Sequence, residues 1–312
     1  MKNVIGIDIG GTNIRAAVVN PNGEIIHRIK VKSGARDGIE HLLKNIGEVI
    51  ADFADFQIEC IGIGIPGIID QKNGILTQAP NITGVKNYPL IKEIKKVTSL
   101  QNIIIENDAN SAALGEYWMG SGAQSNSMLM LTLGTGLGGG IVLNGELWRG
   151  EDGMAGEIGH IIIDPAGPLC NCSNNGCFES FVSAEAVRRM VNNNAALKKL
   201  TKDTFPDDIP EKIMLLALEG NEDSLKIWKD IGKYLGIGIT SLVNLLNVDS
   251  VIIGGGLSNA WELFQNWMLI EIKKRALSGP EERLNIHHAS LGDNAGIFGC
   301  AYLAYKELKI IN

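Results

Sequence analysis

VIGIDIGGTNIRAAVVNPNGEIIHRIKV, residues Val4 to Val31, decides the fold. Two β-rich runs, Val4 to Gly10 and Ile14 to Asn20, flank Gly10-Gly11-Thr12-Asn13, and Pro21-Asn22-Gly23 turns the chain into a third run from Glu24 to Val31. Three strands joined by short turns predict an antiparallel meander. The pattern returns 123 residues later, where Gly134-Thr135 falls on Gly11-Thr12. Met128 to Leu133 and Gly140 to Leu143 read as strands about the glycine turn Gly134-Thr135-Gly136, and Asn144-Gly145-Glu146 makes the next hairpin. Self-similarity at that spacing implies an internal duplication.

Between the copies, Gly38 to Phe56 carries Ile39, Leu42, Leu43, Ile46, Val49, Ile50 and Phe53 at helical spacing, and Ile58 to Ile65 reads as a buried strand. Pro89 to Thr98 and Ala109 to Met119 read as helices, with a strand at Ile103 to Glu106 between them. After the second meander, helices are expected at Ala184 to Ala196, Ile209 to Leu218 and, capped by Asn221, Glu222 to about Leu246. A strand at Ser250 to Ile253 leads through Gly254-Gly255-Gly256 to a helix whose start, Asn259 with Glu262, has the capping-box spacing. Ile286 to Leu291 and Asp293 to Leu308 close the chain as strand and helix.

Helices do not separate nearly every pair of strands, so a simple doubly wound order is excluded. The expected class is α/β, two duplicated lobes facing one cleft. The lobes are placed at residues 1–120 and 121–295, with the last helix, about 296–312, packing back on the first. G-S-G-A-Q-S-N, Gly120 to Asn126, interrupts the pattern between them.

A net charge of −7, no basic block and 5% aromatic residues leave phosphate attraction and base stacking without a source, so nucleic acid is not an expected partner. No apolar run approaches the roughly 20 residues of a membrane span. Met1-Lys2-Asn3 runs straight into the first strand without the pattern of a signal peptide, and a cytoplasmic protein is expected. Cys60 and Cys300, in apolar surroundings, read as reduced core residues.

Two stretches match G-x-G-x-x-G, at Gly62 to Gly67 and Gly134 to Gly139. Neither opens a helix, as a dinucleotide fingerprint must, and no G-K-[ST] follows a glycine loop. The paired Gly-Thr hairpins, Gly10-Gly11-Thr12-Asn13 and Gly134-Thr135-Gly136, have two readings: glycine serving tight turns, or backbone N–H groups and a threonine hydroxyl offered to phosphate from each lobe. Asp8, just before the first loop, is either an ordinary strand-end carboxylate or a holder of Mg2+ or its water. Asp108, between a strand and a helix, is either an N-cap or a general base.

The stretch from Gly156 to Glu179 narrows the chemistry further. G-E-I-G-H and C-N-C-S-N-N-G-C-F-E supply His160, Cys170, Cys172 and Cys177, a complete tetrahedral donor set for a structural zinc. Three of the five cysteines fall within eight residues, which is improbable for incidental thiols. With the four positions filled, Glu157 and Glu179 remain for a substrate, and fixed carboxylates are what a polyhydroxyl ligand needs.

Taken together these motifs resemble the ROK family of sugar kinases, repressors and open reading frames, on the actin-like, hexokinase-like ATPase fold. Asp8-Ile9-Gly10-Gly11-Thr12 and Gly134 to Gly140 look like its phosphate loops, and Glu106-Asn107-Asp108-Ala109-Asn110 like its catalytic segment. Gly254-Gly255-Gly256 looks like its adenosine-side turn, and Leu291 to Gly296 like its closing motif. The resemblance implies ATP with catalytic Mg2+ and structural Zn2+. It makes Asp108 the base toward a sugar 6-hydroxyl, with Gly67, Asn81, Asn107, Glu157, His160 and Glu179 on the sugar. His160 would serve zinc with one ring nitrogen and sugar with the other. Ser173 stands where the family usually has glycine, Val85 where many members have tryptophan, and Val248 where proline is frequent.

The function implied is that of a hexose kinase, glucose first, with Pro80-Asn81 resembling glucokinase-like members; N-acetylmannosamine kinase, fructokinase or a broader hexokinase are the alternatives. A sugar-sensing repressor of the same family would need a helix–turn–helix module, for which no room is expected before Val4. A non-catalytic scaffold would leave the carboxylates and thiols unexplained. A homodimer or homotetramer is expected.

Overall fold

The computed structural model describes residues 2–79 and 81–311; Met1, Asn312 and Pro80, the last expected from the sequence to mark the sugar side, lie outside the described residues. In chain order the elements are β1 (Asn3–Ile9), β2 (Asn13–Val19), β3 (Ile25–Lys32), α1 (Ile39–Ala51), β4 (Ile58–Ile65), β5 (Ile68–Asp70), β6 (Ile75–Gln78), α2 (Leu90–Val97), β7 (Ile103–Asn107) and α3 (Asp108–Met119). There follow β8 (Met128–Leu133), β9 (Leu137–Leu143), β10 (Glu146–Leu147), α4 (Glu179–Val182), α5 (Ala184–Asn192), α6 (Ala195–Leu200), α7 (Ile209–Leu218) and α8 (Glu222–Leu246). The chain closes with β11 (Ser250–Gly254), α9 (Trp261–Arg275), α10 (Ser278–Arg283), β12 (Asn285–His288) and α11 (Ala295–Glu307).

The duplication is visible in the strand order. One sheet runs β3-β2-β1-β4-β7 and the other β10-β9-β8-β11-β12, so each is a meander continued by two parallel strands. The chain divides into two compact units, residues 1–125, 140–156 and 290–312 in one, residues 126–139 and 157–289 in the other.

In the first unit, strand alternation sorts side chains to two faces. Ile5, Ile7 and Ile9 of β1 pack with Ile61, Ile63 and Ile65 of β4 against Leu42, Leu43, Ile46, Val49 and Ile50 of α1. Each such side chain contributes about 2 kcal/mol by leaving water. Val4, Ala17, Val19 and Cys60 face the other way, toward Ile297, Phe298, Ala301 and Tyr305 of α11. Glycine lets that helix close in: a Cβ on Gly62 would lie 1.9 Å from the Cys300 carbonyl oxygen, and one on Gly299 1.7 Å from that of Ser111 in α3. The first G-x-G-x-x-G match is therefore a packing seam, with Gly62 and Gly64 both against α11. Cys60 and Cys300 are buried and free, and burial pushes the Cys60 thiol up to about 12.

In the second unit, Asn221 caps the 25-residue α8 by accepting from the Ser224 N–H at 2.9 Å, as its sequence predicts. Three expectations need correction. Asn259 caps nothing, because residues Gly256–Ala260 form a 3-10 turn and Ala260 occupies the cap of α9 without a side-chain bond. The single helix expected at Ala184 to Ala196 is two, since Asn194 turns extended and its Oδ1 caps α6 through Ala196 and Leu197. The closing strand is Asn285–His288, not Ile286 to Leu291, and after it a 3-10 turn over Gly292–Asn294 leads into α11. No helix among the described residues is long and apolar enough to cross a membrane.

Candidate active site

The first unit gathers one set of candidate residues. Asp8 ends the α11-facing row of β1, where a Cβ on Gly296 would lie 2.5 Å from its Cγ. Burial pushes Asp8 up to about 6, against the pull of Arg15 and with help from Asp108 and Asp293. Arg15 Nη1 stands 3.6 Å from Asp8, and Arg15 Nη2 donates to Asp293 at 3.1 Å. Asp8 and Asp108 are thus near neighbours at the strand ends.

The loop after Asp8 is closed by Gly10 N–H donating to the Asn13 carbonyl at 2.9 Å, and Ser33 braces it by bonding the carbonyls of Gly11 and Thr12. In the second unit the matching loop closes through Gly134 N–H to the Gly136 carbonyl at 3.0 Å. None of Gly10, Gly11, Gly134 and Gly136 has positive φ, so turn geometry does not demand glycine. A Cβ on Gly11 or Gly134 would meet nothing within 4 Å. Bare backbone facing open space is what close approach by an anion requires, which favours the phosphate reading over the tight-turn one.

Asp108 is not the helix cap. Asn107 takes that place, its Oδ1 accepting from the N–H groups of Ala109 and Asn110 at 2.9 and 3.2 Å, and Asp108 is the first helical residue. Asn107 Nδ2 donates to the Gly67 carbonyl at 3.1 Å, which brings Gly67, Asn107 and Asp108 together. Gly67 has φ 133° and no room for a Cβ, 2.3 Å from the Gln78 carbonyl oxygen. Asn81 is exposed on a turn, with no side-chain bond among the described residues.

The second unit assembles the other set. His160 lies between the two carboxylates, its Nε2 3.9 Å from Glu157 and its Nδ1 4.0 Å from Glu179. The Glu157 side chain is 57% exposed and that of Glu179 17%. Glu179 Oε2 accepts from the Leu137 N–H at 3.2 Å, and a Cβ on Gly136 would fall 2.5 Å from the same oxygen. Glycine at 136 therefore leaves room for the Glu179 carboxylate in its present position, a reason invisible in the sequence. Thr135, Gly136, Cys170, Glu179 and Arg189 line a cavity of about 100 Å³.

His160, Cys170, Cys172 and Cys177 bring one donor atom each within 4.8 Å of one another. Cys172 and Cys177 Sγ are 3.5 Å apart, and Cys170 Sγ is 3.8 Å from His160 Nδ1. Edges of a tetrahedron about zinc, with bonds of about 2.0–2.3 Å, would be roughly 3.5–3.8 Å, so the donor set fits the ion. The bond from the Asn174 backbone brings the Cys172 thiol down to about 7, whereas burial raises Cys170 and pushes Cys177 up to about 12. Loading a metal must then release protons from the two buried thiols. With Nδ1 turned to the cluster, Nε2 is the ring nitrogen on the Glu157 side.

In the Gly254-Gly255-Gly256 turn, Gly255 has φ 86° and would clash with Leu133 if it carried a Cβ, while Gly256 faces open space. One further residue was quoted in the sequence only as part of a motif and given no role: Glu106, buried one residue before the end of β7 and bonded by Arg149. A carboxylate in an otherwise apolar strand was the available signal.

A model of the ROK family matches residues 4–307. Over 312 aligned residues the chain is 33% identical to a glucokinase from Thermotoga maritima, with 98% of each chain covered. It is 32% identical to a putative xylose repressor from a Caldicellulosiruptor species over 98% of this chain and 78% of that protein. Among solved structures, a ROK family glucokinase from Streptomyces griseus, in complex with glucose and AMPPNP, superposes with a TM-score of 0.81 at 32% identity, covering 97% of this chain and 99% of that one. Duplicated sheets, glycine loops, thiol cluster and full-length matches agree, and the chain belongs to the ROK family, on the actin-like ATPase fold.

Proposed function

We propose that this sugar kinase transfers the γ-phosphoryl group of ATP to the 6-hydroxyl of a hexose, with glucose its foremost substrate. The observation that carries the reading is at the start of α3, where Asn107 performs the capping and Asp108 occupies the next position, beside Asp8 and the first phosphate loop. Asp108 takes the proton of the 6-hydroxyl as its oxygen attacks the γ-phosphorus. Glu157 and Glu179 accept from other sugar hydroxyls, His160 donates to one through Nε2–H, and Asn107, Gly67 and Asn81 complete the sugar's partners. The N–H groups of Gly11, Thr12 and Thr135 bind phosphate oxygens, and Gly254, Gly255 and Gly256 lie on the adenosine side. Asp8, directly or through a water, would hold the Mg2+ that would supply charge neutralisation to the phosphates. His160, Cys170, Cys172 and Cys177 would hold a structural Zn2+, which would fix the loop that carries both carboxylate partners.

The lobes of this reading are residues 1–120 and 121–295, and the working assembly is a homodimer or homotetramer in the cytoplasm. The test is ADP release from Mg-ATP with glucose, mannose, fructose, N-acetylmannosamine or N-acetylglucosamine. Strongest turnover on glucose supports the reading. Preference for N-acetylmannosamine or fructose keeps the mechanism and reassigns the substrate, and sugar-independent or absent turnover overturns it.

A further inference from the structure

The buried carboxylate of Glu106 has no place in the reaction just described, yet four donors bond it beside the first residues of α3. It is 2% exposed. Its Oε1 accepts from the Asn107 N–H at 2.9 Å and from Asn110 Nδ2 at 3.0 Å; its Oε2 accepts from Arg149 Nε at 2.7 Å and Gln71 Nε2 at 3.1 Å. Gln71 also donates to the Ile105 carbonyl at 2.6 Å, so the side chain that meets Glu106 is itself fixed to β7. Four donors on one buried carboxylate offset its desolvation, and Arg149 supplies the opposite charge.

The two bonds to Oε1 bracket Asp108 in the chain, one on the residue before it and one two residues after. Asn110 commits to this arrangement at a cost, since its Oδ1 is buried without a partner. Turning that amide over would set its oxygen against the carboxylate. The first turn of α3 is consequently clamped to β7, and with it the backbone from which Asp108 projects.

We propose that Glu106 is a positioning residue for the phosphoryl-transfer base: it holds the Asn107 backbone N–H before Asp108 and the Asn110 side-chain amide after it, with Arg149 as the counter-charge. This rests on the reading of Asp108 as the base. Glutamine at 106 cannot substitute, because its one oxygen serves two of the four donors and its NH2 group faces the other two. Arg149 is reachable without opening the core, since it lines a cavity of about 380 Å³ with Gln71, Tyr302 and Lys306.

Three variants test the proposal by steady-state kinetics with glucose and Mg-ATP, alongside thermal unfolding and metal content. Asp108→Asn is expected to be inactive, Glu106→Gln to lose about 10–100-fold in kcat, and Arg149→Lys about 3–10-fold, the last two with both KM values within about two-fold of the parent. A merely structural role would lower the melting temperature but leave kcat per folded molecule unchanged. If Asp108→Asn is dead while folded Glu106→Gln and Arg149→Lys turn over normally, the positioning role is overturned and the base reading survives. If their losses appear as raised sugar KM instead, the role is overturned likewise. If Asp108→Asn retains near-normal turnover, base and positioning residue fall together. Should Glu106→Gln fail to fold, the partly exposed Arg149→Lys decides alone.

Discussion

Ser173, in the turn between Cys172 and Cys177, holds φ at 74°, a conformation that costs a side-chain-bearing residue about 1–2 kcal/mol. Its N–H closes the turn on the Cys170 carbonyl at 2.9 Å, so the strain is kept by the thiol loop itself. Ser173→Gly should stabilise the protein by about 0.5–1 kcal/mol after the added entropy of the unfolded chain, and urea unfolding that shows a loss would contradict this. Asp8 supplies a pH prediction. Its carboxyl binds a proton more tightly folded, at about 6, than at its ordinary 3.8, so ionising it costs stability. That cost is absent below 3.8, grows through the window up to about 6 and is full above it. Asp8→Asn removes it, and should raise unfolding free energy by about 1–3 kcal/mol at pH 8 with the gain vanishing toward pH 4. An equal effect at both pH values would refute the assignment. That His160, Cys170, Cys172 and Cys177 would gather was legible, because the donors sit in short motifs. The cap at Asn107 and the clamp at Glu106 were not, since both depend on which of several adjacent polar groups a folded turn brings into bonding range.

At the scale of elements, helix α11 is seated by glycines on three neighbours. Gly6 of β1, Gly62 of β4 and Gly115 of α3 would each place a Cβ within 2.3 Å of a carbonyl oxygen of α11. Gly299 returns the approach toward Ser111. Gly299→Ala should therefore destabilise the first unit by about 1–3 kcal/mol through overpacking, as read from chemical denaturation, and a neutral result would mean the helix stands off further than this packing. Most strands and the long helices were legible: α7 begins and ends where its apolar pattern does, and α8 starts at the Asn221 cap its sequence offers. Short pieces were not. The ribbon of β5 and β6 has too few residues for a period, the start of β9 at Leu137 rather than Gly140 was hidden because a glycine run carries no side-chain signal, and α9 declines its capping-box residues because the preceding 3-10 turn already sets its entry.

For the whole molecule, one duplicated sheet plan gives two Gly-Thr loops, and among the described residues a thiol–imidazole donor cluster stands in one copy. If the cluster organises the sugar-binding carboxylates as proposed, chelating the metal should lower melting temperature and raise the sugar KM together, with about one zinc per chain in the untreated protein. Full activity in metal-free protein would remove the structural-site reading. The central claim is tested most directly by incubating the purified chain with glucose and Mg-ATP and identifying the product. The account predicts glucose 6-phosphate formed in step with ADP, and its rate reduced by about three orders of magnitude or more in folded Asp108→Ala. No phosphorylated sugar from folded, zinc-loaded protein, or undiminished product from Asp108→Ala, would contradict it.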